Sequence, residues 1–245
     1  MRRFFIEDLT SNTAEAVLRG EELRHLKVLR LTEGEVVSLF NGRGLELLGR
    51  IISLAANEAR LSIIKEIEPC GESPLNIILL AGLSKANKPE LIIQKATELG
   101  VSSIVFYSAG RSVPGLKAGK ADNKLKRWRR VALEAVKQCR RSIIPLITFE
   151  DGLARALAAA ARVDVKLFFY EGGGRPAREI LSGFNENVIS SAALLIGPEG
   201  GFTETERGAA LSNGFIETSL GPRILRAETA AIVSVALVQS LLEDF

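Results

Sequence analysis

The sequence predicts an α/β protein: a mostly parallel sheet covered by helices, preceded by a small β-barrel. Three observations carry this. Up to about Pro69 the chain reads as short strands rich in Val, Ile, Leu and Phe, with the turn signal Asn41-Gly42-Arg43-Gly44 between two of them. From Leu75 onward apolar strands alternate with helical stretches, the pattern of a parallel sheet. Between the two regions Pro69-Cys70-Gly71-Glu72-Ser73-Pro74 reads as a linker, so domains are expected at residues 1–69 and 75–245.

The elements follow in order. In the first region strands are expected at residues 2–6, 35–40, 45–54 and 59–67, with one helical piece at 21–30. In the second region a buried strand at 76–80 leads to a helix at 89–99, opened by a helix-compatible proline and stopped by Gly100. A strand at 101–107, a basic helix, a helix at 151–162 and a strand at 165–170 come next. The run Ala192-Ala193-Leu194-Leu195-Ile196 has no polar alternation, as expected of a strand buried on both faces. Thr203 with Glu206 three residues on forms a capping box, and Gly214 supplies a left-handed residue to end the helix. A strand at 215–219 and a helix at 227–242 complete the chain. That last helix is apolar on nearly every face, so a subunit interface is inferred, and a charge at Val235 or Val238 is expected to break it.

Composition bounds the function. The chain has 245 residues, 47% of them hydrophobic and 25% charged, as in ordinary soluble globular proteins. The longest uncharged apolar stretch, near residues 230–238, falls well short of the roughly 18 residues of a membrane span. Glu7 and Asp8 interrupt any signal-peptide core, which points to the cytoplasm. Cys70, Cys139 and the single His25 give neither a disulfide framework nor a metal-ligand spacing, so no metal is expected. Between Asp122 and Ser142 eight basic residues and two acidic ones give a local net charge of +6, which leaves −3 for the remainder of a chain with net charge +3. A solvated helix face is one reading; a polyanionic partner is the better one, because two acids cannot neutralise eight bases.

The ligand signals lie at strand ends. YEGGG (residues 170–174), GPEGG (197–201) and LGPRILRAE (220–228) each follow a strand, where open α/β sheets bind ligands. Equally, GPEGG reads as a tight turn that needs glycine for its backbone angles. No phosphate-binding GxxxxGK[ST], no GxGxxG opening a first helix, and no nucleophile elbow is present.

The stretches KPELIIQKATELGV (88–101), RW…EA…Q…R (127–140), LLIGPEGGFTETE (194–206) and SLGPRILRAETA (219–230) closely resemble the RsmE family of 16S ribosomal RNA uracil-N3 methyltransferases, and RHLKVLR (24–30) extends the resemblance to the first region. The resemblance implies a SPOUT-type catalytic domain with a trefoil knot, a PUA-like N-terminal domain, S-adenosylmethionine as methyl donor, an obligate homodimer, and 16S rRNA as substrate, within the small ribosomal subunit.

It also implies roles. Ile196, Gly197, Pro198, Gly200 and Gly201 would form one wall of the donor pocket, the glycines letting backbone approach the ligand. Leu220, Gly221, Ile224 and Leu225 would form the other, with Tyr170, Glu171 and Thr229 nearby; plain core packing is the alternative for Ile224 and Leu225. A valine at Gly197 or Gly200 is expected to abolish donor binding and spare the fold. Methyl transfer to uracil N3 requires loss of its proton and leaves negative charge on the flanking oxygens. Arg226 is the candidate to stabilise that charge, and Glu199 or Glu228 to accept the proton. His25 and Arg30, with Lys126, Arg130, Lys137 and Arg141 of the basic helix, are candidates to meet RNA. A non-enzymatic RNA-binding protein and a methyltransferase acting on ribose 2′-oxygen are the competing readings.

Overall fold

The computed structural model describes residues 1–85, 87–111, 121–184 and 189–242. It divides into two compact units, Met1–Glu72 with Val136–Ile144, and Ser73–Ala135 with Pro145–Phe245.

The first unit is a five-stranded mixed half-barrel. Its elements are β1 (Arg3–Phe5), β2 (Glu15–Leu18), α1 (Gly20–Val28), β3 (Val36–Phe40), β4 (Glu46–Leu54) and β5 (Ala59–Ile67), and the sheet order is β1-β3-β4-β5-β2. β1 runs parallel to β3; the remaining pairs are antiparallel. β2 was not expected, because only Ala16 and Leu18 of its four residues carry the inward face and so short an alternation barely registers in sequence. Phe4, Leu26, Val37, Leu39, Leu47, Ile51 and Leu61 form the core.

A buried ion pair anchors this unit. The Arg3 guanidinium donates to both Glu46 carboxylate oxygens at 3.1 and 2.9 Å, to the Val136 carbonyl at 3.2 Å and to Ser142 Oγ at 3.2 Å. Ser142 and Ser38 hydroxyls donate to the same carboxylate, and Arg3 lies 4.7 Å over the Phe40 ring. A two-pronged pair with its remaining lone pairs satisfied is the geometry in which attraction offsets the desolvation of two charges.

The second unit carries a seven-stranded, wholly parallel sheet in the order β10-β12-β9-β11-β6-β7-β8. Its elements are β6 (Asn76–Gly82), α2 (Lys88–Glu98), β7 (Ser103–Tyr107), α3 (Ala121–Cys139, whose last turn from Val136 belongs to the first unit), β8 (Leu146–Glu150), α4 (Leu153–Ala159), β9 (Val165–Phe169), β10 (Arg175–Pro176), α5 (Ala177–Leu181), β11 (Ser191–Ile196), α6 (Glu204–Ser212), β12 (Ile216–Ser219) and α7 (Ala227–Leu241). β11 is laddered to β6 on one side and β9 on the other, and Ala192 to Ile196 are all buried, as their uninterrupted apolar run demands. β8, β10 and α5 were not expected: β8 is a partly buried edge strand and β10 has two residues, so neither leaves a period to read. Among the described residues no helix is long and apolar enough to cross a membrane.

Two helices refine the expectations drawn from sequence. On α3, Trp128, Ala132, Ala135 and Val136 are buried, with Trp128 packed 4.6 Å from Phe106, while Lys126, Arg127, Arg129 and Arg130 are exposed. Lys137 and Arg141 do not join that exposed set. The Lys137 ammonium pairs with Glu22, and Arg141, 3% exposed, pairs with Glu72 at 3.0 Å, so both are committed to protein carboxylates. On α7, Val235 and Val238 are fully buried within the chain itself. A charge there would break the core of this unit before it touched any interface, which corrects their use as interface probes. Val233 is the apolar residue of this helix left 38% exposed.

Glu46→Ala is expected to destabilise the chain by about 3–5 kcal/mol in denaturant unfolding, because it strands a buried guanidinium. Glu58→Ala, whose partners Arg19 and Arg60 face solvent, should cost far less.

Candidate active site

β12, β9 and β11 are neighbours in the sheet, so the loops leaving their carboxyl ends converge. Together with the start of α2 they enclose a cavity of about 440 Å³. Its position is fixed from beneath. The buried Tyr107 hydroxyl donates to the Ile196 carbonyl at the end of β11 at 2.9 Å, and burial pushes that phenol well above its ordinary pKa. Beyond the loop, Thr203 Oγ1 accepts the Glu206 N–H at 3.2 Å and Glu206 accepts the Thr203 N–H at 2.9 Å, completing the capping box. The other Glu206 oxygen accepts the Gly110 N–H at 2.8 Å, which ties the loop after β7 to the first turn of α6.

The glycines serve close packing of the protein on itself. A Cβ on Gly82, at the end of β6, would lie 2.5 Å from the Pro198 nitrogen. One on Gly197 would lie 2.6 Å from the Phe202 ring, and one on Gly200 would lie 2.7 Å from the Arg111 carbonyl oxygen. A valine at Gly197 or Gly200 would therefore meet the protein itself and displace the loop, so a loss of donor binding would come through the loop as well as through the space the ligand needs.

The cavity is charged on both signs. Lys88, in the first turn of α2, places its ammonium 3.1 Å from Glu199 Oε1 and 3.4 Å from Glu228 Oε2. Glu199 also accepts the Lys85 N–H at 3.3 Å. Burial alone would raise the Glu199 carboxyl, but its own backbone N–H, Lys88 and the Lys85 N–H bring it below the usual carboxylate range. The hydrogen bond to Glu199 raises Lys88 above its ordinary value. Among the described residues the Arg226 and Arg223 guanidinium groups, both on the cavity wall, have no hydrogen-bond or ion-pair partner, so their charge is available to a ligand.

Most of the residues picked out in sequence meet here. Tyr170, Glu171, Ile196, Gly197, Pro198, Glu199, Gly201, Leu220, Gly221, Ile224, Leu225 and Arg226 line the cavity. Gly200 and Thr229 do not; Gly200 backs onto Arg111 and Thr229 points outward from α7. Glu228 stands just behind the wall and reaches it through Lys88. Ile224 is 83% exposed, which excludes core packing as its role. Lys88, Phe169, Thr218 and Arg223 also line the cavity and were missed. Lys88 carried a signal: a cation in the first turn opposes the helix dipole and asks for another reason to be there. In the first unit Arg30 is exposed, with a positive φ of 56° just past α1, whereas the His25 ring packs 5.4 Å from Phe4 and is half-buried.

Residues 71–239 match the family model described as an RNA methyltransferase domain, and residues 18–64 match an RNA methyltransferase PUA domain. The chain is 31% identical over 247 residues to ribosomal RNA small subunit methyltransferase E of Bacillus subtilis, across 97% of this chain and 96% of that protein. Among solved structures, ribosomal RNA small subunit methyltransferase E of Neisseria gonorrhoeae bound to S-adenosyl methionine matches 100% of this chain and 99% of that one at 30% identity, with a TM-score of 0.87. A methyltransferase of Legionella pneumophila in complex with bound SAM matches 97% and 96% at 30% identity, with a TM-score of 0.86. A parallel α/β sheet with a cavity at its strand ends, a PUA domain and these matches define an S-adenosylmethionine-dependent RNA methyltransferase. Within that class, the chain belongs to the ribosomal RNA small subunit methyltransferase E family, as its five motifs suggested.

Gly82→Ala is expected to push Pro198 off its seat and weaken S-adenosylmethionine binding roughly tenfold in calorimetric titration, the equivalent of about 1.4 kcal/mol of strain. Unchanged affinity in a folded variant would show that the loop yields without disturbing the cavity.

Proposed function

We propose that this enzyme methylates N3 of a specific uridine in 16S rRNA, and that the cavity at the ends of β9, β11 and β12 is where it does so. The observation that carries the reading is the pairing, on one cavity wall, of an unengaged guanidinium at Arg226 with the carboxylate of Glu199, and the Glu228 carboxylate just behind them on the same Lys88 ammonium. N3 methylation needs both: a cation for the charge that spreads onto the uracil oxygens and an acceptor for the N3 proton.

The residues present fit the donor. Leu220, Ile224 and Leu225 offer apolar surface for an adenine ring, and Glu171 and Glu199 offer negative charge to its cationic groups. When bound, S-adenosylmethionine supplies an electrophilic methyl group. Holding N3 in line with that methyl is the task of the surrounding walls, and it supplies rate by orientation alone. The half-barrel at residues 1–69 serves as a PUA-like RNA-binding domain and residues 75–245 as the knotted SPOUT catalytic domain. His25 and Arg30, with Lys126 and Arg130 of α3, meet the RNA backbone. The enzyme works in the cytoplasm as a homodimer built on α7, whose exposed Val233 lies on a helix packed against α2 with its exposed Leu91.

Methylation of rRNA from a strain lacking this protein, followed by mass analysis of the nucleosides, tests the reading. The expected product is 3-methyluridine in small-subunit rRNA; a methyl on a ribose oxygen would replace it with a 2′-O activity, and RNA binding without methylation would replace it with a binding protein.

Lys126→Glu combined with Arg130→Glu is expected to weaken RNA binding and make its dependence on log salt shallower by roughly 1 to 2, because each lost phosphate contact releases one fewer counterion. Donor affinity should hold. Val233→Glu is expected to shift sedimentation toward monomer, since burying an unpaired carboxylate in an apolar interface costs several-fold more than burying valine gains. A dimer that persists would move the interface elsewhere.

A further inference from the structure

Lys88 ties the cavity wall after β11 to the start of α7 just behind it, two segments that share no other ion pair among the described residues. Its ammonium stands 3.1 Å from Glu199 in the loop after β11 and 3.4 Å from Glu228 in the first turn of α7. The Glu228 side chain is 13% exposed, and its Oε2 makes no hydrogen bond in this structure, so the ion pair with Lys88 is what offsets its charge. As the first residue of α2, Lys88 also works against the dipole of its own helix. One ammonium therefore serves two carboxylates, from a position unfavourable to helix formation. The other titratable or charged groups on the cavity wall are Arg223, Arg226, Glu171 and Tyr170, and Lys85 adjoins the cluster through its backbone N–H to Glu199.

We propose that Lys88 is a positioning residue for methyl transfer, tying the Glu199 loop to the start of α7 and holding the two carboxylates about a single cation at the edge of the cavity. This rests on the reading of Glu199 or Glu228 as acceptor of the substrate proton. In that step the N3–H bond breaks with its electron pair kept on N3, and the proton passes to a carboxylate oxygen. N3 then bonds to the methyl carbon, while the carbon–sulfur pair stays with sulfur, which becomes neutral. Lys88 transfers no atom. It holds the two carboxylates in place, and at Glu199 it is one of the contacts that favour the ionised carboxyl.

The test compares wild type with Lys88→Met, Lys88→Arg, Glu199→Gln and Glu228→Gln in the full-length enzyme, reading kcat against pH on rRNA and S-adenosylmethionine affinity by calorimetry. Activity that depends on an ionised acceptor rises as pH climbs through its pKa. Removing Lys88 takes away a group that lowers the Glu199 pKa, so the acid limb should move to higher pH. Lys88→Met is expected to move that limb to higher pH and lower kcat roughly tenfold to a hundredfold, with a smaller loss in donor affinity and with Lys88→Arg restoring the limb. Donor titration also reports that the variant is folded. Should Lys88→Met prove unfolded, Lys88→Gln, which also removes the charge but keeps a polar end, takes its place and must move the limb in the same direction. An unmoved limb in folded Lys88→Met, or a loss of donor affinity as large as the loss of rate, overturns the proposal. A limb that persists in both Glu199→Gln and Glu228→Gln fails the acceptor reading instead, independently of what Lys88 does.

Discussion

The site depends on one close approach. β11 follows β6 and β9 in the chain yet lies between them, hydrogen-bonded to both, and the loop that leaves it must pass the end of β6. Gly82 makes this possible, since a Cβ there would stand 2.5 Å from the Pro198 nitrogen. With backbone against backbone, the loop has little room to shift, and the buried Tyr107 hydroxyl, from the end of β7 beside Gly82, fixes the last residue of β11. Rigid placement of this kind is what a site working by orientation requires.

Charge is then distributed over that rigid frame in two ways. Groups committed to protein partners hold structure: Arg3 with Glu46 in the first unit, Arg141 with Glu72, and Lys137 with Glu22. Groups at the cavity are either shared, as Lys88 is between two carboxylates, or left open to a ligand, as Arg226 is. The same residue types thus serve opposite ends, and burial decides which. Arg141 and Arg130 belong to one basic run in sequence, but Arg141 is 3% exposed and Arg130 faces solvent.

The sequence by itself determined a great deal. The switch from short strands to alternating strands and helices located two regions; the run at residues 192–196 announced a strand buried on both faces; Thr203 and Glu206 announced the start of α6. These are local facts, set by periodicity and by hydrogen bonds three residues apart, and so they are written in neighbouring letters. The three glycine-bearing loops were legible as a site for the same reason: each follows a strand that its own composition reveals.

Only the tertiary structure decided what crosses long stretches of chain. Nothing near Gly82 in sequence reports that Pro198 will press on it, and nothing near Lys88 names Glu199 or Glu228 as its partners. The short strands β2, β8 and β10 depend on pairing with distant neighbours more than on their own composition. Likewise the apolar α7 could not say which of its faces the chain itself would cover; packing on α2, α5, β6 and β11 buries Val235 and Val238 and leaves Val233 outward. Burial and charge pairing are properties of the assembled fold, because the dielectric and the partners that fix them come from residues a hundred positions away.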